Sequence, residues 1–256
     1  MKSVKDTAIY KSARDIYRHI LKNKSVYNGV ILPPRHLRFC GDEFKSDSYY
    51  FESSKLEAER LAKNCALTLK SSLLDFGCGS GRLSIGILQS IGEIKCYRGV
   101  DVNGACIRWC KKHITREHPN FQFIRTDVKN LRYNPKGKAP DEALRLPFED
   151  GAFNIIYLYS VFSHMDLDDV KLYTKEFHRL LASSGKIFLT AFLEDNVEEV
   201  AVNPKDYRMN WSGDLHCVRY GRAFFEELLS KNGYKVDHFV YGKETEGQSA
   251  LYISKK

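Results

Sequence analysis

The segment Leu73–Leu83, with the sequence LLDFGCGSGRL, decides the fold that we predict for this chain. Apolar residues lead into an acid, Asp75, and three glycines follow at alternate positions before apolar residues recur at helical spacing. This order is typical of a β-strand, a tight turn and an α-helix. Glycine is needed where the backbone takes a positive φ or approaches a ligand closely, and the start of a helix favours an anionic or polar ligand. We therefore expect a nucleotide-like ligand across this turn.

The spacing of the glycines separates two classes of nucleotide-binding protein. A dinucleotide fingerprint has the form G-x-G-x-x-G, which would favour a nicotinamide oxidoreductase. Here Gly77, Gly79 and Gly81 place the third glycine one residue earlier, and the acid Asp75 precedes the first glycine by two residues. The segment resembles motif I of the class I S-adenosylmethionine-dependent methyltransferases, and its spacing disfavours the oxidoreductase.

The remainder of the chain divides into two predicted parts. We predict an N-terminal helical cap or lid over residues 1–70 and a methyltransferase core over residues 71–256, with an insertion on the acceptor side at about 194–220. Strands and helices alternate in the core, which implies a mainly parallel sheet with helices on both faces. The last two predicted strands, 234–241 and 249–253, have no helix between them and must pair antiparallel. The fold class is therefore α/β and Rossmann-like, and the resemblance implies seven strands with an antiparallel last strand.

Periodicity places the individual elements. The first core strand ends at Asp75, and the other predicted strands before the insertion are 95–101, 121–126, 153–159 and 186–193. The predicted helices are 9–21, 53–69, 103–118, 166–181 and 222–231, with Ser184-Gly185 ending the fourth. In the second of these helices, the residues predicted to face inward are Leu56, Ala58, Leu61, Ala62 and Cys65.

The net charge of +8 is concentrated near the start of the chain. Residues 1–24 hold seven basic residues, namely Lys2, Lys5, Lys11, Arg14, Arg18, Lys22 and Lys24, against the acids Asp6 and Asp15. Such a segment is able to contact phosphates, which would favour an RNA-modifying enzyme. A solvated helix face is the simpler interpretation, and we favour it.

Composition and cysteine spacing indicate where the protein is located and whether it binds a metal ion. The sequence shows no secretory leader and no apolar run of membrane-spanning length, and its seven cysteines include no C-x-x-C pair. Scattered cysteines without a completing histidine cluster predict reduced thiols rather than a metal site. We expect a cytoplasmic protein without a metal ion.

Ligands bind outside the carboxyl ends of the strands in an open α/β sheet, so the residues at these ends are the candidate cofactor site. The second strand ends at Asp101, where a carboxylate can accept hydrogen bonds from both ribose hydroxyls. The third ends at Asp127, where an acid can accept from the exocyclic amine of adenine. Three acids at three successive strand ends favour S-adenosylmethionine as cofactor. The candidate cofactor-binding residues are Asp75, Gly77, Gly79, Gly81, Asp101, Val102, Asp127, Val128 and Tyr159.

The resemblance extends over about residues 27–192. LPFEDGAFN at 146–154 and SVFSHM at 160–165 are similar to segments around the fourth strand of the family, although Asn154 stands where an Asp is usual. PPRHLR at 33–38 is similar to a prelude in bacterial small-molecule methyltransferases. Within it, Arg38 is either a ligand for a carboxylate or, as we favour, a surface arginine.

Methyl transfer from a sulfonium needs no metal, but a hydroxyl or amine acceptor must lose a proton, so a base is useful. His164 follows the fourth predicted strand and is our candidate base, since imidazole titrates near neutral pH. A histidine that only packs or caps a helix is the alternative. Asp166 is well explained as a helix cap. The aromatic residues of the insertion, Tyr207, Trp211 and Tyr220, are expected to hold a lid together.

Three functions stay open at this point. The first is methyl transfer to an O or N atom of a small molecule, such as a sugar, a lipid or a natural product. The second is RNA modification that uses the basic N-terminal segment, although no N-P-P-Y-type tetrad follows the fourth strand, where Tyr159–Phe162 stands instead. The third is an S-adenosylmethionine-binding protein without turnover. The sequence does not predict the oligomeric state.

Overall fold

The computed structural model describes residues 25–256. The basic segment 1–24 and its predicted helix 9–21 lie outside the described residues. The strands are β1 (Ser25–Tyr27), β2 (Val30–Leu32), β3 (Ser72–Phe76), β4 (Cys96–Asp101), β5 (Phe121–Arg125), β6 (Phe153–Leu158), β7 (Leu181–Glu194), β8 (Val200–Val202), β9 (Val218–Gly221), β10 (Tyr234–Val240) and β11 (Ser249–Lys255). The α-helices are α1 (Asp47–Cys65), α2 (Arg82–Ser90), α3 (Gly104–Cys110), α4 (Leu167–Leu180) and α5 (Arg222–Lys231).

The main sheet confirms the predicted fold class. Its strands follow the order β10-β11-β7-β6-β3-β4-β5. All neighbours from β7 to β5 pair in parallel, whereas β11 runs antiparallel to both β7 and β10. Because β10 and β11 follow each other with only a short connection, antiparallel pairing is the arrangement open to them.

Helices cover both faces of this sheet, and each face has its own apolar core. Successive residues of a strand point to opposite faces, so in β3 Leu73 belongs to one core and Leu74 to the other. The first core also contains Leu61 of α1 and Ile87 of α2. The second contains Phe177 of α4 and, from α5, Leu229. The sheet is therefore the middle layer of three.

The helix α1 begins earlier than predicted and presents a different face. Ser46 caps it by accepting a hydrogen bond from the backbone N–H of Tyr49. Leu56, predicted to face inward, is 64% exposed, so this prediction is wrong, while Ala58 and Leu61 are buried as predicted. The inward face is fixed by the contact with α2, where a Cβ on Gly86 would collide with the carbonyl oxygen of Ser54.

The junction between α4 and β7 also differs from the prediction. Ser184-Gly185 does not end the helix, because α4 stops at Leu180 and the chain is already extended at Leu181. The pairing with β6 then shifts register: Phe153 pairs with Leu181, whereas Ile155 pairs with Lys186. The residues between Leu181 and Lys186 therefore form a bulge. Its Ser184-Gly185 sequence resembles the end of a helix, which explains the wrong prediction.

The insertion at 194–220, predicted to be irregular, contains two short strands. In it, β9 pairs in parallel with the end of β7, and β8 pairs antiparallel with β9. The sheet therefore has nine strands instead of seven, although its seven-stranded core matches the prediction. The extra strands extend the sheet beyond the carboxyl end of β7, next to the edge where the candidate site residues lie.

Candidate functional site

A cavity lies at the carboxyl ends of β3, β4, β5 and β6. Its empty volume, counted to the open mouth, is about 1130 Å³. Of the candidate cofactor residues, those in its wall are Asp75, Gly77, Gly79, Asp101, Val102, Val128 and Tyr159.

The glycine turn forms one side of the cavity. Gly77, Gly79 and Gly81 all have positive φ angles, which glycine adopts without strain. A Cβ on Gly77 would lie 2.5 Å from Val161 Cγ2, so this position has no room for a side chain. At Gly79 nothing lies within 4 Å of the place that a Cβ would take, because the backbone there faces the open cavity. The turn is thus a cradle whose backbone is accessible to a ligand.

Gly81 and Asp127 lie outside the cavity wall. Gly81 packs against the side chains of Ile114 and Ser84 and acts on the site only through the shape of the turn. The side chain of Asp127 is 56% exposed, 3.5 Å from the guanidinium of Arg125. Its neighbours along the chain do line the cavity. The Asp127 carboxylate therefore points outward where the adjacent backbone reaches the site.

Asp101 joins the glycine turn to the end of β4. Its Oδ2 accepts a hydrogen bond from the backbone N–H of Gly79 at 2.7 Å, and its Oδ1 accepts one from Asn103 at 2.7 Å. Burial raises the pKa of Asp101 above its ordinary value, and these N–H donors offset part of the rise. Each carboxylate oxygen has two lone pairs, so both oxygens retain the capacity to accept a ligand hydroxyl.

Asp75 lies deeper, at the end of β3. It is 2% exposed and accepts a hydrogen bond from the hydroxyl of Tyr97. Burial raises the pKa of Asp75 to about 7, against the lowering effects of that hydrogen bond and of the nearby Arg82. This carboxyl group is therefore close to half-protonated at neutral pH and belongs to the floor of the cavity.

Arg82, the first residue of α2, was not singled out from the sequence. Its guanidinium lies 4.7 Å from the ring centroid of Tyr159 and 5.1 Å from that of Phe44, and it donates to the hydroxyl of Tyr157 at 3.3 Å. Within residues 25–256 no carboxylate comes within ion-pair distance of it. A largely buried cation in a cavity wall without an acidic partner is suited to bind an anionic group of a ligand.

His164 lies in the wall of the cavity and is 8% exposed. A carbonyl oxygen only accepts, so the contact of 3.1 Å between Nδ1 and Leu215 O means that Nδ1 carries the proton. Nε2 lies 3.4 Å from Ser160 Oγ. Burial lowers the pKa of His164 to about 4, so the ring is neutral at pH 7. Its Nε2 is therefore unprotonated at neutral pH, and the Ser160 hydroxyl is in contact with its lone pair.

Aromatic side chains that had no motif to mark them complete the wall around His164. Phe39 and Tyr133 contact each other edge to face at 6.1 Å between centroids, and Tyr133 contacts the imidazole in the same way at 5.7 Å. Both come from segments without regular structure, and Tyr173 of α4 joins them in the wall. Asp166 caps α4, as expected, by accepting from the N–H of Asp169 at 2.9 Å.

The other sequence candidates have structural roles. Arg38 is completely buried, pairs with Asp47 at 2.7 Å and donates to Pro33 O at 2.8 Å, so the expectation of a surface arginine is wrong. In the insertion, Tyr207 donates to Glu194 at 2.8 Å, and Trp211 donates to the backbone of Tyr207 at 2.7 Å. These contacts hold the insertion together outside the cavity.

Comparison with known proteins identifies the class. A family model described as a methyltransferase domain matches residues 47–238, which is well over half of the chain. The chain therefore belongs to this methyltransferase family, and it is an S-adenosylmethionine-dependent enzyme with a class I fold.

Solved structures share the fold at low sequence identity. The N1-methyltransferase of 1,6-didemethyltoxoflavin from Burkholderia thailandensis, with S-adenosylhomocysteine bound, has a TM-score of 0.52 at 13% identity, covering 82% of this chain and 80% of that one. The PH0226 protein from Pyrococcus horikoshii OT3 has a TM-score of 0.54 at 20% identity, covering 82% and 92%. The (4+2)-cyclase SpnF has a TM-score of 0.58 at 14% identity, covering 80% and 82%. The last of these shows that the fold alone does not decide the reaction.

The described residues fit S-adenosylmethionine. The open backbone at Gly79 allows a ligand to approach closely. Asp101 retains the capacity to accept hydrogen bonds from ribose hydroxyls, and the Arg82 guanidinium, which has no ion-pair partner among residues 25–256, suits a carboxylate.

In residues 25–256 no cluster of three or more His, Cys, Asp or Glu side chains is arranged to hold a metal ion. No α-helix of the same residues has the length and hydropathy needed to cross a bilayer.

Proposed function

We propose that this enzyme methylates an O or N atom of a small molecule, of the sugar, lipid or natural-product kind, inside the cavity described above. The observation that carries the proposal is one part of the cavity wall. It is formed by Phe39, Tyr133, Tyr173 and a neutral His164. A concave compartment lined largely by aromatic side chains suits a small acceptor better than a polymer.

S-adenosylmethionine, when bound, supplies an electrophilic methyl group on a sulfonium. In the proposal, Asp101 accepts the ribose hydroxyls, and Val102 and Val128 flank the adenine. Arg82 pairs with the carboxylate of the amino-acid part. The role predicted for Asp127, accepting the adenine amine, requires its exposed side chain to turn inward and stays part of the proposal.

His164 is proposed as the base that receives the acceptor proton. A pKa of about 4 is low for a general base, but it leaves Nε2 unprotonated over the whole neutral range. An attacking hydroxyl or amine becomes positively charged as it takes the methyl group, and its proton then becomes far more acidic than a free one. A weak but always available acceptor at Nε2 suffices for that proton.

The predicted division into a cap over 1–70 and a core over 71–256 stays a proposal. The helix α1 packs directly on α2 across Gly86, and the family match begins at residue 47. A cytoplasmic location is likewise proposed, and the seven cysteines, all of which are free thiols, support it.

The test is to incubate the full chain with methyl-labelled S-adenosylmethionine and, separately, small-molecule extract and bulk RNA. We expect label in the small-molecule fraction, lost with His164→Gln and kept with His118→Gln, which alters a half-buried histidine outside the cavity wall. Label confined to RNA, with uptake that falls steeply as salt rises, would overturn the small-molecule proposal. Binding of the cofactor without label in any fraction would identify a protein without turnover.

A further inference from the structure

A line of buried polar side chains leads from the sheet to the ring of His164. Thr190 Oγ1 of β7 lies 2.8 Å from Gln248 Oε1, and Gln248 Nε2 lies 2.8 Å from Ser160 Oγ. Ser160 Oγ in turn lies 3.4 Å from His164 Nε2. All four residues are buried, and Thr190 and Gln248 are completely so. Residues that are far apart in the sequence therefore converge on one imidazole.

The directions of the first two hydrogen bonds in this line are fixed. An amide oxygen only accepts, so the Thr190 hydroxyl donates to Gln248, and the Gln248 amide N–H donates to Ser160 Oγ. The backbone N–H of Ser160 donates to Thr190 Oγ1 at 2.8 Å, which closes a ring of three residues. With Ser160 Oγ accepting from Gln248, its own hydroxyl proton is left to donate to His164 Nε2 or to Ser163 Oγ, 3.3 Å away.

The backbone around the imidazole supports the same conclusion independently. Ser160 has a φ of 56° and Leu215 a φ of 46°, both in the left-handed region that residues other than glycine rarely occupy. These two residues supply the two hydrogen-bond partners of the His164 ring. Each such conformation is unfavourable and persists only where surrounding contacts enforce it.

We propose that Gln248 and Ser160 are positioning residues, which hold His164 as the tautomer with its proton on Nδ1 and its lone pair on Nε2. Leu215 O accepts a hydrogen bond from Nδ1–H on one side, and in the ligand-free protein the Ser160 hydroxyl, oriented by Gln248, contacts Nε2 on the other. When the acceptor binds, this hydroxyl turns to Ser163 Oγ, 3.3 Å away, and leaves the Nε2 lone pair to the acceptor proton. The alternative tautomer would leave Leu215 O without its donor and place an N–H where the proton must be received. The catalytic meaning of this arrangement rests on the proposed role of His164 as base.

The test uses ¹⁵N NMR of the histidine rings in the full chain, with the His164 signals assigned by their loss in His164→Gln. We expect an unprotonated Nε2 and a protonated Nδ1 at pH 7. The variant Ser160→Gly removes the hydroxyl and suits the positive φ, so it should fold. Loss of a hydrogen bond to the neutral ring should raise the pKa of His164 by about one unit and populate the second tautomer. Gln248→Met, which keeps the volume, should give a smaller change in the same direction.

Thr174→Val is the matched control, because it removes a buried hydroxyl that donates to Val170 O within α4 and contacts neither Ser160 nor the His164 ring. It should leave the pKa and the tautomer as in the wild type. Arg132 and His216, the charged or titratable groups that face His164, are unchanged in every variant. The proposal is overturned if Ser160→Gly and Gln248→Met bind S-adenosylhomocysteine like the wild type and show its His164 spectrum. This readout needs no turnover, so an inactive enzyme with the expected spectrum would contradict only the proposed function.

Discussion

The two sides of the cavity are built in different ways. The donor side, which comprises the glycine turn 77–81 and the end of β4 at Asp101, is held by backbone N–H groups within a short stretch of chain. The acceptor side, which comprises Ser160, His164 and their partners, is held by Leu215 of the insertion and Gln248 from the connection between β10 and β11. The donor side is held by contacts among the glycine turn and the end of β4, whereas the acceptor side depends on contacts between segments that are far apart in the chain.

This difference has a consequence for how the two sides respond to change. We expect a substitution on the donor side to alter ligand affinity directly, because its groups are the ones proposed to contact the ligand. A substitution on the acceptor side should alter the rate of the chemical step while the donor still binds. Variants that separate affinity from turnover therefore test whether the two sides are as independent as their construction implies.

The largest expected effect is on turnover, on the acceptor side. His164→Gln should lower kcat by roughly 10²–10⁴-fold, the usual contribution of a general base. The affinity for S-adenosylhomocysteine should stay within about twofold, because the imidazole is not one of the groups proposed to bind the donor. Steady-state kinetics with the identified acceptor, together with calorimetry, measure both quantities. Unchanged turnover would leave His164 as a packing histidine.

The next effect is on affinity, on the donor side. Asp101→Ala removes the acceptor of two backbone N–H groups and of the proposed ribose contacts, and should weaken S-adenosylhomocysteine binding by about 100-fold. Asp127→Ala is the matched control, since its carboxylate is exposed and outside the wall. Its effect should stay below about threefold if the side chain remains outside. A loss as large as that of Asp101→Ala would show that Asp127 turns inward on binding, as the sequence predicted.

A smaller effect distinguishes the parts of the donor. Arg82→Leu should weaken S-adenosylhomocysteine by at least about tenfold, since a charge-assisted hydrogen bond is lost. Binding of 5′-methylthioadenosine, which has no amino-acid carboxylate, should be unchanged, and this ligand also shows that the variant is folded. Equal losses for both ligands would place the role of Arg82 in packing against Tyr159 rather than in binding the carboxylate.

The two sides should also have opposite effects on stability as the pH changes. The pKa of Asp75 is raised from 3.8 to about 7, so this group lowers stability as the pH rises from about 4 to 7. The pKa of His164 is lowered from 6.5 to about 4, so this group lowers stability as the pH falls from about 6.5 to 4. Each contribution is on the order of 3 kcal/mol.

Denaturant unfolding of the ligand-free protein across pH 4–7 separates these contributions. The variant Asp75→Asn lacks the carboxyl group that lowers stability as the pH rises, so its free energy of unfolding should rise with pH more steeply than that of the wild type. In His164→Gln stability should fall with pH over the same range. Parallel curves for the wild type and both variants would mean that neither group titrates differently in the folded and unfolded chain.

The same contrast explains what the sequence could predict. Asp75, the glycines and Asp101 form a contiguous motif or follow a recognisable strand, so periodicity and spacing placed them at one edge of the sheet. The local sequence pattern did not show which way the Asp127 side chain points. Successive side chains of an extended segment point to opposite sides, so a shift of one residue in the strand end reverses the direction. Ser160, Leu215 and Gln248 carry no motif, and their meeting at His164 depends on how β7, the insertion and β11 pack.

The predicted end of the fourth helix and the predicted exposure of Arg38 were wrong for a related reason. The bulge between Leu181 and Lys186 looks like a glycine-terminated helix in sequence, and only its pairing with β6 shows it to be strand. Arg38 looks like a surface residue until Asp47 and the carbonyl of Pro33 close around it. In both places long-range contacts override the local preference of the chain.

The most direct measurement is a calorimetric titration of the full wild-type chain with S-adenosylhomocysteine, with NAD titrated in parallel. We expect saturable binding of one S-adenosylhomocysteine per chain and no heat with NAD, because the glycine turn and Asp101 form an adenosyl site of methyltransferase spacing. Absence of binding at millimolar S-adenosylhomocysteine, or preferential binding of NAD, would contradict the assignment of this edge of the sheet as the donor site.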